Sequence, residues 1–351
     1  MITNTSPRFT VKSMSVLQGD AISPPPVWLM RQAGRYLPEY RALRARAGDF
    51  LSLCLNPELA AEITLQPIRR FGFDAAILFS DILILPMALG QGLRFAEGEG
   101  PLLPPLQSLA ELTLARAPEI YAPVLETVRR TRAALPVETT LIGFAGSPAT
   151  VACYMVDGKG GWGEGAEFPR LRALAAAQDP LLQGVLDVLV EATITYLQGQ
   201  IDAGANCVML FETWAGVFDA EDFRRYVIAP NARIVQALRQ KNRGLKILGF
   251  PRHAGAMLGE YVRETGVDAV GLDSQTCPAD AIAACPPGTV FQGNLDPGVL
   301  RQGGEVLDAA VDALLAGFHG RPHIFNLGHG ITPDVPVEHV ERLMKRIRGA
   351  S

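Results

Sequence analysis

Eight short apolar runs, each followed by a longer segment with helical periodicity, constrain the fold of this chain more than any other feature of its sequence. The runs are apolar on consecutive residues, which is typical of parallel strands covered on both faces. Eight strand–helix alternations in 351 residues favour an α/β fold, a single (β/α)8 TIM barrel, over an open doubly wound sheet. The predicted strands are residues 27–30, 75–79, 139–143, 206–211, 245–249, 268–272, 289–292 and 323–327.

The segments between these runs predict the helices. Asn56-Pro57 and Asp296-Pro297 each place a capping side chain directly before proline, which is typical of a helix start. No shift in composition marks a second domain. We therefore expect an N-terminal extension over residues 1–24, a barrel catalytic domain over residues 25–351, and a plain Gly/Pro-rich loop over residues 97–105. The predicted helices are residues 57–71, 118–135, 181–203, 220–241, 254–265, 278–284, 305–318 and 337–348.

Charge and cysteine usage exclude several classes of protein. The net charge is −4 and the pI is about 5.8, so the chain lacks the basic footprint of a nucleic-acid binder. A local group of arginines could still bind an anionic substrate. The five cysteines are scattered and form no C-x-x-C pair, so we expect no disulfide framework, no structural zinc and a cytoplasmic location.

One stretch, residues 75–93, is apolar enough to be compared with a membrane span. Asp81 near its middle and Pro86 soon after it favour a buried strand followed by a turn. The first twenty residues also lack the apolar centre of a signal peptide. We therefore expect no membrane association.

Polar residues follow every predicted strand. In a barrel the loops at the carboxyl ends of the strands form one mouth, and active sites lie there. The sequence thus predicts a polar site at that mouth. In chain order its candidates are Arg31, Gln32 and Arg35, then Ser80 and Asp81, residues 143–148 and Tyr154, Glu212 and Thr213, Arg252 and His253, Asp273, Asn294 and Asp296, and His329.

Arg31, Gln32 and Arg35 lie within five residues of one another. Two neighbouring guanidiniums repel each other unless an anion lies between them, and each offers a fork suited to carboxylate or phosphate. The alternative is a solvated loop with one structural ion pair. Asp81 interrupts an apolar run, where a buried charge is costly without a partner. It could meet a substrate cation or N–H donors, or it could cap a helix.

His329 lies between two glycines, which leave its imidazole accessible to bind a carboxylate or move a proton. It could instead cap a loop. Tyr154 could line the mouth or pack in the core, and the glycine loop at 143–148 could cradle an anion or only turn tightly. Asp273, Asn294 and Asp296 fit caps at least as well as substrate contacts. No dinucleotide, P-loop, serine-hydrolase or zinc motif is present, so no cofactor and no metal are expected.

Four motifs carry a resemblance to the uroporphyrinogen decarboxylase family. Residues 26–40, PVWLMRQAGRYLPEY, are long and specific, and FSDI at 79–82, QGNLDP at 292–297 and NLGHG at 326–330 follow in the order of that family. The resemblance extends from about residue 10 to residue 348. The chain departs from the family pattern at Ala149, where an aromatic residue is usual, and at Ser274, where tryptophan is frequent. Thr213 replaces a frequent serine and keeps the hydroxyl.

The resemblance implies a cofactor-free, homodimeric barrel that converts uroporphyrinogen III to coproporphyrinogen III and CO2. It implies that Asp81 holds the pyrrole N–H groups and that Arg31 binds the reacting acetate. Arg35 and His329 would hold other carboxylates, with Gln32 beside them, and Tyr154 and Thr213 would donate hydrogen bonds. Two alternatives stay open: a superfamily methyltransferase, which would need thiol and imidazole zinc ligands, and a tetrapyrrole-binding protein without activity.

Overall fold

A parallel sheet runs through the centre of the protein, in a computed structural model that describes residues 11–96, 100–160 and 167–349. Its seven strands lie in the order β1-β4-β5-β6-β7-β8-β9, all parallel, while β2 and β3 form a separate antiparallel hairpin. The fold is therefore α/β. The strands are β1 (Ala75–Ile77), β2 (Arg94–Ala96), β3 (Gly100–Leu102), β4 (Thr140–Gly146), β5 (Cys207–Glu212), β6 (Lys246–Pro251), β7 (Ala269–Gly271), β8 (Val290–Leu295) and β9 (His323–Leu327).

The sheet is covered on both faces, because every residue of β4, β5 and β8 is buried. Neighbouring strands pair in simple parallel register, with Ile142 opposite Cys207 and Cys207 opposite Lys246. Continuous apolar runs are what such strands require. Seven of the eight predicted strands overlap strands of this sheet, and these predictions are confirmed.

Helices pack around the sheet and share one apolar core with it. Both predicted capping pairs are confirmed: Asn56 accepts hydrogen bonds from the amides of Glu58 and Leu59, and Asp296 accepts one from Gly298. The helices are α1 (Lys12–Leu17), α2 (Pro38–Ala47), α3 (Phe50–Cys54), α4 (Pro57–Phe71), α5 (Ile84–Ala88), α6 (Ala117–Ala134), α7 (Pro148–Asp157), α8 (Pro169–Ala176), α9 (Pro180–Asp202), α10 (Ala220–Asp222), α11 (Ala229–Lys241), α12 (Leu258–Thr265), α13 (Pro278–Ala284), α14 (Pro297–Gln302), α15 (Gly304–Gly317) and α16 (Val337–Arg348).

The prediction of a strand at residues 27–30 is wrong, because these residues do not form a strand of the sheet. Only Val27 forms a parallel bridge, with Phe325 of β9. On its other side the Val27 carbonyl accepts a hydrogen bond from the Asp74 amide at 2.9 Å. Prolines before Val27 lack amide donors, and the Met30 amide donates to the Asn326 side chain, so a regular ladder cannot extend in either direction.

Smaller differences from prediction have local causes. Residues 100–102 form β3 rather than a loop, with residues 97–99 outside the described part. The predicted helix over 220–241 is divided by a π-helical segment, Phe223–Ile228. The extension is described from residue 11 onward, and its helix α1 buries Val16 and Leu17 in the common core. The boundary at residue 24 stays a prediction.

Two segments bear on the membrane question. Residues 75–93 contain β1 and the turn that follows it, as predicted, and also the short helix α5, which was not predicted. Helix α9 is long and apolar enough to cross a membrane by length and composition alone. It lies between the sheet and neighbouring helices, and Leu186, Leu189 and Tyr196 are among its buried side chains.

Candidate active site

The loops that leave the carboxyl ends of the parallel strands form the mouth of the sheet, and the candidate residues lie there. Asp81 follows β1, Thr213 follows β5, and Arg252 follows β6. Tyr154 lies on α7 after β4, and His329 follows β9. Because parallel strands end at the same edge, the loops after them face one another across this mouth.

The Arg31 side chain lies beside Gly330, one of the two glycines that flank His329. The Arg31 backbone has a positive φ of 62°, and the Met30 carbonyl before it accepts a hydrogen bond from Ile331 at 2.9 Å. A β-carbon at Gly330 would overlap the Arg31 side chain. Glycine at this position therefore makes room for the guanidinium arm, a role the sequence does not reveal.

Gln32 lies beneath this loop and is fully buried. Its amide oxygen accepts from the Leu29 amide at 3.0 Å, and its amide nitrogen donates to the Ala75 carbonyl at 3.1 Å. The Tyr36 hydroxyl donates to its backbone carbonyl. Both ends of the side chain hold the loop in place, so Gln32 positions Arg31. Arg35 lies nearby and is exposed to solvent.

Asp81 is partly buried between β1 and α5. Within the described residues its carboxylate accepts one hydrogen bond, from the Leu83 amide at 2.8 Å, so it caps the turn before α5 with one oxygen. Burial raises the pKa of Asp81, while the Leu83 amide and the Arg31 charge oppose this rise. The two sequence predictions for Asp81, cap and partner of a cation, are thus compatible.

Tyr154 and His329 lie near the same charges. Burial raises the pKa of Tyr154; Arg31 acts against this rise and Asp81 adds to it. Burial, assisted by Arg31, Arg252 and His253, lowers the pKa of His329 to about 3. The imidazole is therefore neutral near pH 7, and its buried Nδ1 has no hydrogen-bond partner in the described part of the chain.

Thr213 directly follows β5 and is half-buried. The loop that carries it is fixed on both sides. The Trp214 amide donates to Thr150 Oγ1 at 3.1 Å, and the Arg252 amide donates to the Glu212 carbonyl at 3.1 Å. Thr213 is thereby held at the exit of β5, between α7 and the end of β6.

Glu212 is a buried acid that the sequence places at the mouth without a predicted role. Its carboxylate accepts from the amide and the hydroxyl of Thr150 and from Asn231 Nδ2, and Ser147 donates to Asn231 Oδ1. Burial raises the pKa of Glu212 to about 7, although these hydrogen bonds oppose the shift. A charged residue ending the wholly buried strand β5 is the sequence signal that could have identified it.

The residues after β7 and β8 form hydrogen bonds with the backbone of neighbouring loops. Asp273 accepts hydrogen bonds from the Gln275 and Thr276 amides and from the His253 amide at 2.7 Å. Asn294 donates to the carbonyls of Asp273 and Thr276. These bonds fit the first of the two sequence interpretations, caps, and the second, substrate contacts, stays a prediction. Ser274, where the chain departs from the family pattern, leaves no space for a side chain at Gly328.

An α/β sheet with arginines, a neutral histidine and three carboxyl groups at its carboxyl edge defines a class of protein: an enzyme with a polar site that suits an anionic substrate. Comparison with known proteins gives the family. The profile of "Uroporphyrinogen decarboxylase (URO-D)" matches residues 10–350. The chain belongs to the uroporphyrinogen decarboxylase family, as the motifs predict.

Curated relatives agree closely. The chain is 57% identical over 338 residues to a uroporphyrinogen decarboxylase of Acidiphilium cryptum, covering 95% of this chain and 93% of that one. It is 57% identical over 347 residues to the same enzyme of Rhizorhabdus wittichii, covering 98% and 99%. Among solved structures, a methyltransferase of Methanosarcina mazei aligns with a TM-score of 0.79, 19% identity and coverage of 97% and 99%. At that identity the likeness concerns the fold alone.

Proposed function

We propose that this protein catalyses the cofactor-independent decarboxylation of the four acetate side chains of uroporphyrinogen III, which gives coproporphyrinogen III and four CO2. The observation that carries the proposal is the match to the uroporphyrinogen decarboxylase family over residues 10–350, with Arg31 and Asp81 both on loops at the mouth. Relatives that are 57% identical over nearly the whole chain bear the name of this enzyme.

The chemistry balances without an added cofactor. Protonation of a pyrrole ring carbon makes the ring an electron sink, and the electrons of the breaking C–CO2 bond enter it. CO2 leaves, the exocyclic methylene carbon takes a proton, and the ring loses the proton that it first gained. Each acetate therefore becomes a methyl group with net consumption of one proton.

Asp81 holds the pyrrole N–H groups and stabilises the ring cation. At about 4 Å and an effective dielectric of about 20, a charge pair is worth roughly 4 kcal/mol. Because each 1.36 kcal/mol changes the rate about tenfold, Asp81 supplies on the order of a thousandfold, provided that its field is preorganised. The hydrogen bond from Leu83 supports such preorganisation.

The remaining side chains bind carboxylates and orient the rings. Arg31 binds the reacting acetate, and Arg35 and His329 hold other carboxylates. Tyr154 and Thr213 donate hydrogen bonds to the substrate, and Gln32 acts through the loop that it supports. A raised pKa makes Tyr154 keep its proton, and arginine is too weak an acid. Neither group is therefore assigned as the proton donor.

We also infer that the segment around Val27 takes the eighth position of a closed (β/α)8 barrel. Its hydrogen bonds to Phe325 on one side and to Asp74 on the other support this. A homodimer, a cytoplasmic location and the absence of nucleic-acid or membrane partners remain part of the proposal. Sedimentation of the purified protein in the presence and absence of lipid vesicles tests the homodimer and the absence of membrane association.

The two alternatives make different demands. A methyltransferase would need zinc ligands, but no group of three His, Cys, Asp or Glu side chains suited to a metal occurs in residues 11–96, 100–160 and 167–349. His253, an imidazole at the mouth, is followed by Ala254 and has no cysteine nearby in sequence. A tetrapyrrole carrier would bind uroporphyrinogen and leave it unchanged.

One experiment tests the proposed function. Metal-stripped protein is incubated anaerobically with uroporphyrinogen III, and the oxidised products are separated by carboxylate number. We expect seven-, six-, five- and four-carboxylate porphyrins to appear in succession. Tight binding without product would favour the carrier, and neither binding nor product would show that Ala149 and Ser274 accompany a different substrate.

A further inference from the structure

Four fully buried polar residues connect the end of β5 to the beginning of α7. They are Ser147, Thr150, Glu212 and Asn231. Glu212 Oε1 accepts hydrogen bonds from the Thr150 amide at 2.6 Å and from the Thr150 hydroxyl, and Glu212 Oε2 accepts one from Asn231 Nδ2 at 3.2 Å. The Ser147 hydroxyl donates to Asn231 Oδ1 at 3.0 Å. We call these four residues the β5–α7 network.

The β5–α7 network is built around an acceptor. Burying a carboxylate costs free energy, and the partners of Glu212 in this network, Thr150 and Asn231, are neutral. An ionised carboxylate accepts hydrogen bonds at both oxygens, so it satisfies donors on both sides. A glutamine at this position would place an N–H group opposite one of these donors. The hydrogen bonding of the network therefore favours a carboxylate.

The same network holds two segments of the mouth together. On one side it fixes the first turn of α7, and Tyr154 lies four residues after Thr150, about 6 Å further along the helix axis. On the other side Thr150 Oγ1 accepts a hydrogen bond from the Trp214 amide at 3.1 Å, directly after Thr213. The positions of Tyr154 and Thr213 therefore depend on one carboxylate, that of Glu212.

We propose that Glu212 is a positioning residue for the reaction, whose carboxylate fixes Tyr154 and Thr213 relative to each other. This rests on the proposed function, in which both side chains donate hydrogen bonds to the substrate. Glu212 acts through these two residues and not through contact with the substrate. The substrate carboxylates are held by residues outside the two segments, so misplacing the segments lowers kcat more than it raises KM.

A pair of Thr150 variants tests the proposal with little change of shape. Thr150→Val removes the hydroxyl that joins Glu212 to the Trp214 amide, and Thr150→Ser restores it. Steady-state assays with uroporphyrinogen III measure kcat and KM. We expect kcat of Thr150→Val to fall by about tenfold, with KM within about threefold of wild type, and kcat of Thr150→Ser to return to within about threefold.

Glu212→Gln extends the test to the carboxylate itself, and we expect it to lower kcat by about tenfold or more. A double-mutant cycle with Tyr154→Phe shows whether Glu212 acts through Tyr154. We expect the combined loss to be smaller than the product of the two single losses, because Tyr154 contributes only when it is correctly placed. The Thr150 pair decides on its own where Glu212→Gln does not fold.

Thr127→Val is the matched control. Thr127 is also a fully buried threonine, and its hydroxyl donates to the Pro123 carbonyl of its own helix, α6. We expect this variant to keep the kcat and KM of wild type, although it too loses a buried hydrogen bond. Wild-type kcat in Thr150→Val or in folded Glu212→Gln overturns the proposal. So does a loss that Thr150→Ser does not restore, or a combined loss with Tyr154→Phe that equals the product.

Hydrogen–deuterium exchange of the two segments separates this proposal from the proposed function, because it needs no turnover. In Glu212→Gln we expect faster exchange than in wild type both in the first turn of α7 and in the loop after β5. Unchanged exchange in either segment overturns the proposal, whatever the turnover of wild type. Wild-type turnover of uroporphyrinogen III decides separately whether the protein is a decarboxylase.

Discussion

Asp81 and Asp273 both follow a parallel strand of the same sheet, yet their surroundings differ completely. Asp81, after β1, accepts one hydrogen bond within the described residues, and burial raises its pKa. Asp273, after β7, accepts bonds from the backbone of two adjacent residues, from the Thr276 hydroxyl and from the loop after β6. The Asp81 carboxylate can still accept hydrogen bonds from a ligand, whereas the Asp273 carboxylate already accepts four within the protein.

The difference shows that carboxylates at the mouth of one sheet can have different roles. A fully hydrogen-bonded carboxylate rigidifies the loops around it, whereas an incompletely hydrogen-bonded one can still accept hydrogen bonds from a substrate cation. In the proposed function, the side of the mouth that includes Asp81 and Arg31 is the reactive side. The side that includes Asp273 and Asn294 fixes the loops from which Arg252 and His253 extend.

The largest expected effect comes from Asp81→Asn. The amide keeps the shape of the side chain and can still accept from Leu83, but it removes the negative charge opposite the ring cation. We expect kcat to fall by about a thousandfold, with Tm unchanged. Rapid-quench assays of uroporphyrinogen turnover measure this. Near-normal turnover in the variant would remove Asp81 from the mechanism.

Glu212 is a third carboxyl group at the mouth. It is hydrogen-bonded within the protein like Asp273, and burial raises its pKa as it raises that of Asp81. Its folded pKa of about 7 lies above the unfolded value of 4.5, so the folded state holds more protons between these values. Stability therefore falls as pH rises from 4.5 to 7, by about 3 kcal/mol. Urea unfolding measures this contribution as the difference between wild type and Glu212→Gln.

The difference between the two curves is informative because His329 contributes equally to both. Its lowered folded pKa gives the opposite trend, a loss of stability as pH falls from 6.5 towards 3. Glu264→Gln, at an exposed position, serves as the control and should leave the pH dependence unchanged. Parallel curves for wild type and Glu212→Gln would show that Glu212 is not the group responsible.

A smaller effect, on stability instead of rate, is expected for Asp273→Asn. The substitution places an amide donor opposite backbone N–H donors, either at His253 or at Gln275 and Thr276. We expect the free energy of unfolding to fall by about 2 kcal/mol, while kcat of the folded protein stays within about threefold of wild type. Parallel unfolding and turnover measurements decide this. A thousandfold loss of kcat at normal stability would contradict the division between the two aspartates.

The smallest effect is expected for Gly330→Ala, which disturbs the reactive side without changing any charge. The new methyl group would overlap the Arg31 arm, and a long flexible side chain can move away at little cost. We expect KM to rise by about tenfold through weakened carboxylate binding, with Tm nearly unchanged. Gly317→Ala has only ordinary contacts and is the control. An unchanged KM would show that the position of Arg31 is not critical.

Much of the fold was predictable because the relevant interactions are local. Apolar runs gave seven strands of the sheet, and capping side chains before proline gave the starts of α4 and α14. The segment at Val27 was mispredicted as a strand because its pairing depends on Phe325 and Asp74, which are distant in sequence. The candidate residues of the site were found because polar side chains after buried strands are conspicuous.

The sequence by itself determined the family, the strand–helix alternation and the residue types at the mouth, since periodicity and motifs are written in the order of the residues. Only the tertiary structure decided which of these residues form hydrogen bonds with other parts of the protein. Gln32 and Asp273 are bound to backbone from other segments. Those assignments depend on distances between remote parts of the chain, and hydrogen bonding and charge interactions at a site are set by such distances.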